Sequence, residues 1–225
     1  GTVYKGNDPA VRYTGRTLVS SDGSVAFDWV GTYLETRFTG GKLSVKVSET
    51  GTSYYNVFVD GKLHKVVKVC GTDTLIHLVS GIDKRIHSLK IQKRSEGEFG
   101  KTTVHQFVLS GSGRLAEELA VRTRHIEFIG NSLTCGYGTD GKHRDEPFLV
   151  ETENCNLTFA SMVARYYDAD YTLIAHSGRG AARNYGDSVR VSKVTMKDRM
   201  LNTFDEDLTH KWNFKGYLPD LVVIN

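Results

Sequence analysis

Three cysteines, Cys70, Cys135 and Cys155, are all that this 225-residue chain contains. The number is odd and too small for a disulfide scaffold, so a packed core has to carry the fold. Long apolar runs are missing too, and none approaches the roughly 20 residues that a membrane-spanning helix needs. Neither sign of charge dominates, with 29 Lys and Arg against 26 Asp and Glu. The densest basic pairs, Lys84-Arg85 and Lys93-Arg94, read as solvated strand faces rather than a nucleic-acid footprint. No nucleic-acid or membrane partner is expected.

Two near-motifs fail on inspection. Gly136–His143 nearly spells a phosphate-binding loop, but His143 stands where a magnesium-binding hydroxyl belongs. The glycines also begin well beyond the preceding strand, and Pro147 sits where the phosphate-capping helix should run. A loop bordering a site is the better account. Cys135, His143 and Cys155 could be drawn together as zinc ligands, yet their spacing matches no known ligand pattern. No metal and no cofactor are expected.

What the sequence does contain falls into two halves. Residues 1–113 read as an all-β domain. Leu43, Val45 and Val47 alternate with polar residues, the period-2 signature of a half-buried strand. Gly40-Gly41 and Asp60-Gly61 read as hairpin turns. Further strands fit Val25–Trp29, Leu75–Leu78, His87–Ile91 and Val104–Leu109, with turn signals between them that point to a β-sandwich. Tyr54, Tyr55 and Trp29 are candidates for a sugar platform or for core. Ser110-Gly111-Ser112-Gly113 is a flexible joint, and the second domain is placed at 114–225. There the pattern alternates. Strands fit Arg124–Ile129, Tyr171–Ala175 and Leu221–Ile224. Leu157, Ala160, Val163, Ala164 and Tyr167 recur at helical spacing, with Asn154 or Asn156 as N-cap, and a second helix is expected near 191–201. Strand, helix, strand, helix, strand implies a parallel sheet in an α/β layered domain.

The stretch His125–Thr139 carries the chemistry. An apolar strand ends at Gly130, and Ser132 follows two residues later, at the sheet edge where ligands and catalytic groups collect. A serine there is a candidate nucleophile if a base and oxyanion donors reach it. Thr134 replaces the second glycine of the α/β-hydrolase elbow, so that motif is absent. A disulfide between Cys135 and Cys155 is expected to tie the post-serine loop to the start of the following helix, closing a loop of about 20 residues.

Gly130-Asn131-Ser132-Leu133-Thr134 resembles block I, G-D-S-x-T, of the SGNH/GDSL hydrolases. The longer run Ile126–Gly138 resembles the acetyl esterases of carbohydrate esterase family 2. Ala175–Gly180, Arg183-Asn184-Tyr185, Pro219–Asn225 and Tyr54–Gly61 agree with the same pattern, so the likeness spans nearly the whole chain. Asn131 departs from it, because block I has Asp there.

The resemblance implies a jelly-roll sandwich followed by an α/β/α three-layer domain. It implies a serine esterase that removes O-acetyl groups from plant cell-wall polysaccharide such as acetyl xylan or glucomannan, in a secreted or periplasmic setting. Ser132 would be the nucleophile, and Ser132 with Gly178 or Gly180 would supply oxyanion-hole amides. Tyr185 and Trp212 are candidates for substrate binding, and His176 is a candidate base away from the family's position for it. The family's block III Asn and catalytic His lie beyond Asn225 in its pattern. Residues 1–225 are therefore expected to be one piece of a longer protein, whose remaining C-terminal polypeptide completes the site. The competing expectations are a carbohydrate-binding protein with a degenerate hydrolase domain, and an SGNH lipase or thioesterase.

Overall fold

The computed structural model describes residues 1–117 and 122–225. The first half is built from β1 (Thr2–Lys5), β2 (Arg12–Thr14), β3 (Leu18–Val19), β4 (Val25–Phe27), β5 (Tyr33–Phe38), β6 (Gly41–Glu49), β7 (Ser53–Val59), β8 (Lys62–Val69), β9 (Thr74–Ile82), β10 (His87–Lys93), β11 (Thr102–Leu109) and β12 (Leu115–Ala116). One sheet runs β3-β4-β11-β6-β9 with β1 added to β11. The other runs β12-β5-β10-β7-β8 with β2 added to β5. Leu43, Val45 and Val47 on one sheet and Phe38, Val57 and Leu89 on the other are buried in one shared cluster. This is the sandwich that the alternation along β6 predicts.

Asp60-Gly61 is a two-residue hairpin turn between β7 and β8, both residues at positive φ (51° and 78°), as a primed turn requires. Gly40-Gly41 is not a hairpin. It carries the chain from β5 in one sheet to β6 in the other, and the period-2 pattern cannot tell a crossover from a hairpin. β12 pairs with β5, so the sandwich continues to Ala116. Tyr55 and Trp29 are 4% and 1% exposed, which makes them core rather than a sugar platform.

The second half adds β13 (His125–Gly130), α1 (Ser132–Cys135), α2 (Phe159–Tyr166), β14 (Asp170–Ala175), α3 (Met196–Arg199), β15 (Asn202–Phe204), β16 (Asp207–Lys211) and β17 (Leu221–Ile224). β14, β13 and β17 form a parallel sheet in that order, with Ile126 opposite both Tyr171 and Leu221. Ala160 and Ala164 of α2 are fully buried with Phe128, Leu173 and Ala175 of this sheet. Asn154 caps the 3-10 turn Cys155–Leu157 instead of α2, whose N-cap position is Thr158. The helix expected near 191–201 shrinks to the single turn of α3, in a stretch without an apolar stripe to bury. Leu221, Val222 and Ile224 of β17 are exposed.

The two halves are firmly joined. Buried Arg16 donates to the carbonyls of Met200 and Asn202 and pairs with Glu127 at 3.6 Å. Tyr33 donates to Asp170 and Gln92 to Tyr171. Gly31 sits at φ +81° with no room for a side chain, since a Cβ would lie 2.7 Å from Leu173.

Candidate active site

Ser132 owes its position to three neighbours. Gly130 ends β13 where a Cβ would come within 1.8 Å of the Asn225 side chain and 2.4 Å of Thr134, so only glycine fits. Asn131 is extended, and its Oδ1 accepts from the Leu133 amide at 3.0 Å, which caps α1. Ser132 then opens the helix with its own amide facing no acceptor and its hydroxyl without a hydrogen-bond partner among the described residues. The substitution of Asn for the Asp of block I thus keeps the cap. Asn131→Asp is expected to leave stability unchanged within a few tenths of a kcal/mol, whereas Asn131→Ala should cost about 1 kcal/mol by denaturant titration. An equal loss in both variants would mean that the cap is not what Asn131 supplies.

Facing Ser132 is the loop after β14. Gly178 adopts φ +75°, its carbonyl accepts from the Tyr185 amide at 2.8 Å, and its own amide has no acceptor among the described residues. The Gly180 amide, by contrast, donates to Asn184 Oδ1 at 3.1 Å. Ser132, Ser177, Gly178, Gly180 and Tyr185 line one cleft of about 760 Å³. Its other wall is aromatic: Tyr137 stacks on Phe148 at 3.7 Å and 10°, and Phe99 of the sandwich lies 5.5 Å from Phe148. The near-phosphate-loop stretch is pinned beside this wall, because buried Arg94 of the sandwich holds Asp140 at 2.6 Å. Tyr185 is 93% exposed at the rim.

Three expected site features fall elsewhere. His176 does not line the cleft. It is buried, with Nδ1 2.9 Å from Asp205, and although burial lowers its basicity the Asp205 hydrogen bond and charge win and raise it. Trp212 lies away from the cleft, with the Arg16 guanidinium 6.0 Å from its ring. Aromatic identity alone does not distinguish a wall from packing. The expected Cys135–Cys155 disulfide is absent: both are buried free thiols in one apolar cluster, and Cys70 is an exposed free thiol.

Beneath the cleft lies a pair of buried acids. Glu96, on the connection after β10, accepts from the Ser177 amide at 2.5 Å and the Ser177 hydroxyl at 2.6 Å. Its own amide donates to Glu153. Burial and the neighbouring Glu96 push Glu153 well above the usual carboxylate range. Burial alone would raise Glu96, but the hydrogen bonds from Glu153 and Ser177 outweigh it and keep Glu96 ionised. The other Glu153 oxygen, Oε2, is buried without a hydrogen-bond partner among the described residues. Nothing in the sequence marks Glu96. Ser95–Gly100 reads as turn composition, and its tight fit at Gly97, where a Cβ would meet Asp205 at 2.9 Å, shows only in the fold.

Residues 13–118 match the family model described as carbohydrate esterase 2 N-terminal. Over 219 residues the chain is 32% identical to the cellulase/esterase CelE of Acetivibrio thermocellus, covering 97% of this chain and 26% of that protein. It is also 32% identical to an acetylxylan esterase/glucomannan deacetylase of Cellvibrio japonicus, over 93% of this chain and 58% of that one. A family two carbohydrate esterase from Clostridium thermocellum, solved with cellohexaose, superposes with a TM-score of 0.89 at 32% identity, over 96% of this chain and 65% of that one. Residues 13–118 thus carry the carbohydrate esterase 2 N-terminal domain, and nearly the whole chain is similar to carbohydrate esterases. The chain spans about a quarter and somewhat over half of the two curated relatives.

Proposed function

We propose that the protein is a serine esterase that removes O-acetyl groups from plant cell-wall polysaccharide such as acetyl xylan or glucomannan. One observation supports this most directly. An unengaged serine hydroxyl and two unengaged amides, of Ser132 and Gly178, share a cleft. Ser132 Oγ attacks the acetyl carbonyl, giving up its proton to a base while the carbonyl oxygen becomes an oxyanion. The amides of Ser132 and Gly178 stabilise that oxyanion. Gly180 is the weaker candidate because its amide is engaged by Asn184. Collapse expels the sugar hydroxyl, which takes the proton from the base, and water then releases acetate and restores Ser132. Tyr185, at the rim, is positioned to contact the sugar.

No histidine lines the cleft among the described residues. On this reading the base and a third oxyanion donor come from further C-terminal polypeptide, in agreement with the greater length of the relatives and with an SGNH plan. A secreted or periplasmic location follows from the substrate. The rival readings, a lipase or thioesterase and a binding protein without turnover, separate in one assay. The full-length protein is expected to cleave aryl acetate at least about 100-fold faster than aryl octanoate, the difference of a few kcal/mol that pocket shape can impose. Preference for octanoate would support the lipase reading. Binding to acetylated xylan without acetate release would support the binding protein.

A further inference from the structure

Glu96 belongs to the sandwich, yet its carboxylate is spent on the second half of the chain. It is 0% exposed, and both of its oxygens are engaged by Ser177, one by the amide and one by the hydroxyl. The segment that carries it is itself fixed. The fully buried Lys93 ammonium donates to the carbonyls of Ser95 and Glu96, at 2.8 and 3.1 Å. Ser177 immediately precedes Gly178, whose positive φ is a conformation that glycine enters with little restraint. A loop ending in such a residue can turn its amide toward or away from the cleft unless the preceding peptide is held. Because Glu96 takes the Ser177 amide, that amide is also withdrawn from the cleft, and Gly178 presents the next one.

We propose that Glu96 is a positioning residue for the oxyanion hole: by gripping both donors of Ser177 it aims the Gly178 amide at the reacting oxygen. This rests on the reading of Ser132 and Gly178 given above. A carboxylate accepts from both Ser177 donors at once, whereas a carboxamide has a single accepting oxygen and its nitrogen accepts from neither. Glu153 lines no part of the cleft and accepts from neither Ser177 donor, and glutamine is a near-isostere for it. The charge therefore matters on Glu96 and not on Glu153.

The test uses steady-state acetate release by the full-length protein. Glu96→Gln is expected to lower kcat by about 100-fold, the usual loss for one oxyanion donor, with KM changed less than about threefold. Affinity for a boronic acid that forms a tetrahedral adduct should fall by a similar factor, a readout that a merely structural role would not move selectively. Ser177→Ala, which keeps the backbone contact, should lose roughly 3- to 10-fold in kcat. Glu153→Gln should lose no more than about threefold. Unchanged kcat in folded Glu96→Gln overturns the proposal, as does a larger loss in Glu153→Gln than in Glu96→Gln. If Glu96→Gln does not fold, unchanged kcat in Ser177→Ala overturns it. Turnover retained by Ser132→Ala would instead remove the underlying reading, so the two failures are distinguishable.

Discussion

Ser132→Ala in the full-length protein is expected to lower acetate release by about 10⁴-fold or more and to leave the fold untouched. The first half follows from chemistry, since Ser132 is the serine of the cleft whose hydroxyl is uncommitted among the described residues. Ser177, the other serine lining it, has its hydroxyl committed to Glu96 at 2.6 Å. The second half follows from geometry. The Ser132 side chain makes no hydrogen bond among the described residues, and the helix it opens is capped by Asn131. Thermal unfolding of the variant should therefore overlay that of the parent. A variant that retained a tenth of the parent rate would move the nucleophile elsewhere.

Trp29→Ala is expected to produce the largest loss of stability. The indole is 1% exposed, buried with Ile174 of β14 and Met196 of α3, so it belongs to the junction of the two halves and not to the sandwich core. Its Nε1 donates to the Asn202 carbonyl at 3.3 Å, and the Arg16 guanidinium lies 5.8 Å from the ring. Removing so large a buried aromatic side chain costs about 3–5 kcal/mol. For a chain of this size that lowers Tm by roughly 10 °C, which calorimetry reads directly. A loss under about 1 kcal/mol would mean that the indole adds little to the junction, which Val30 and Tyr33 would then hold against Leu173 and Tyr171.

How much of this was legible in the residues depends on whether the determining interaction is local. β6, β10, β11, β13 and β14 were legible because their side chains alternate or cluster within a few residues, and Asp60-Gly61 because a primed turn constrains its own two residues. Ser132 stood out for the same reason: Gly130 and the cap at Asn131 act over one turn of chain. Gly40-Gly41 misled because a hairpin and a sheet-to-sheet crossover begin with the same residues. His176 and Trp212 misled because their partners, Asp205 and Arg16, lie 29 and 196 residues away, where no local pattern reaches. Glu96 was invisible for that reason in a stronger form. An acid in a turn is ordinary, and its hold on Ser177 exists only once the sandwich has packed against the parallel sheet.

If Ser132 Oγ is the attacking atom, covalent labelling will mark it. The full-length protein would be treated with an aryl organophosphate, which traps an activated serine as a stable tetrahedral phosphoryl ester, and then digested and mapped by mass spectrometry. One modified site is expected, on Ser132, formed in step with loss of acetate release and suppressed by an acetylated xylo-oligosaccharide. Complete inactivation with the label on any other residue, or full activity in protein fully labelled at Ser132, would contradict that assignment.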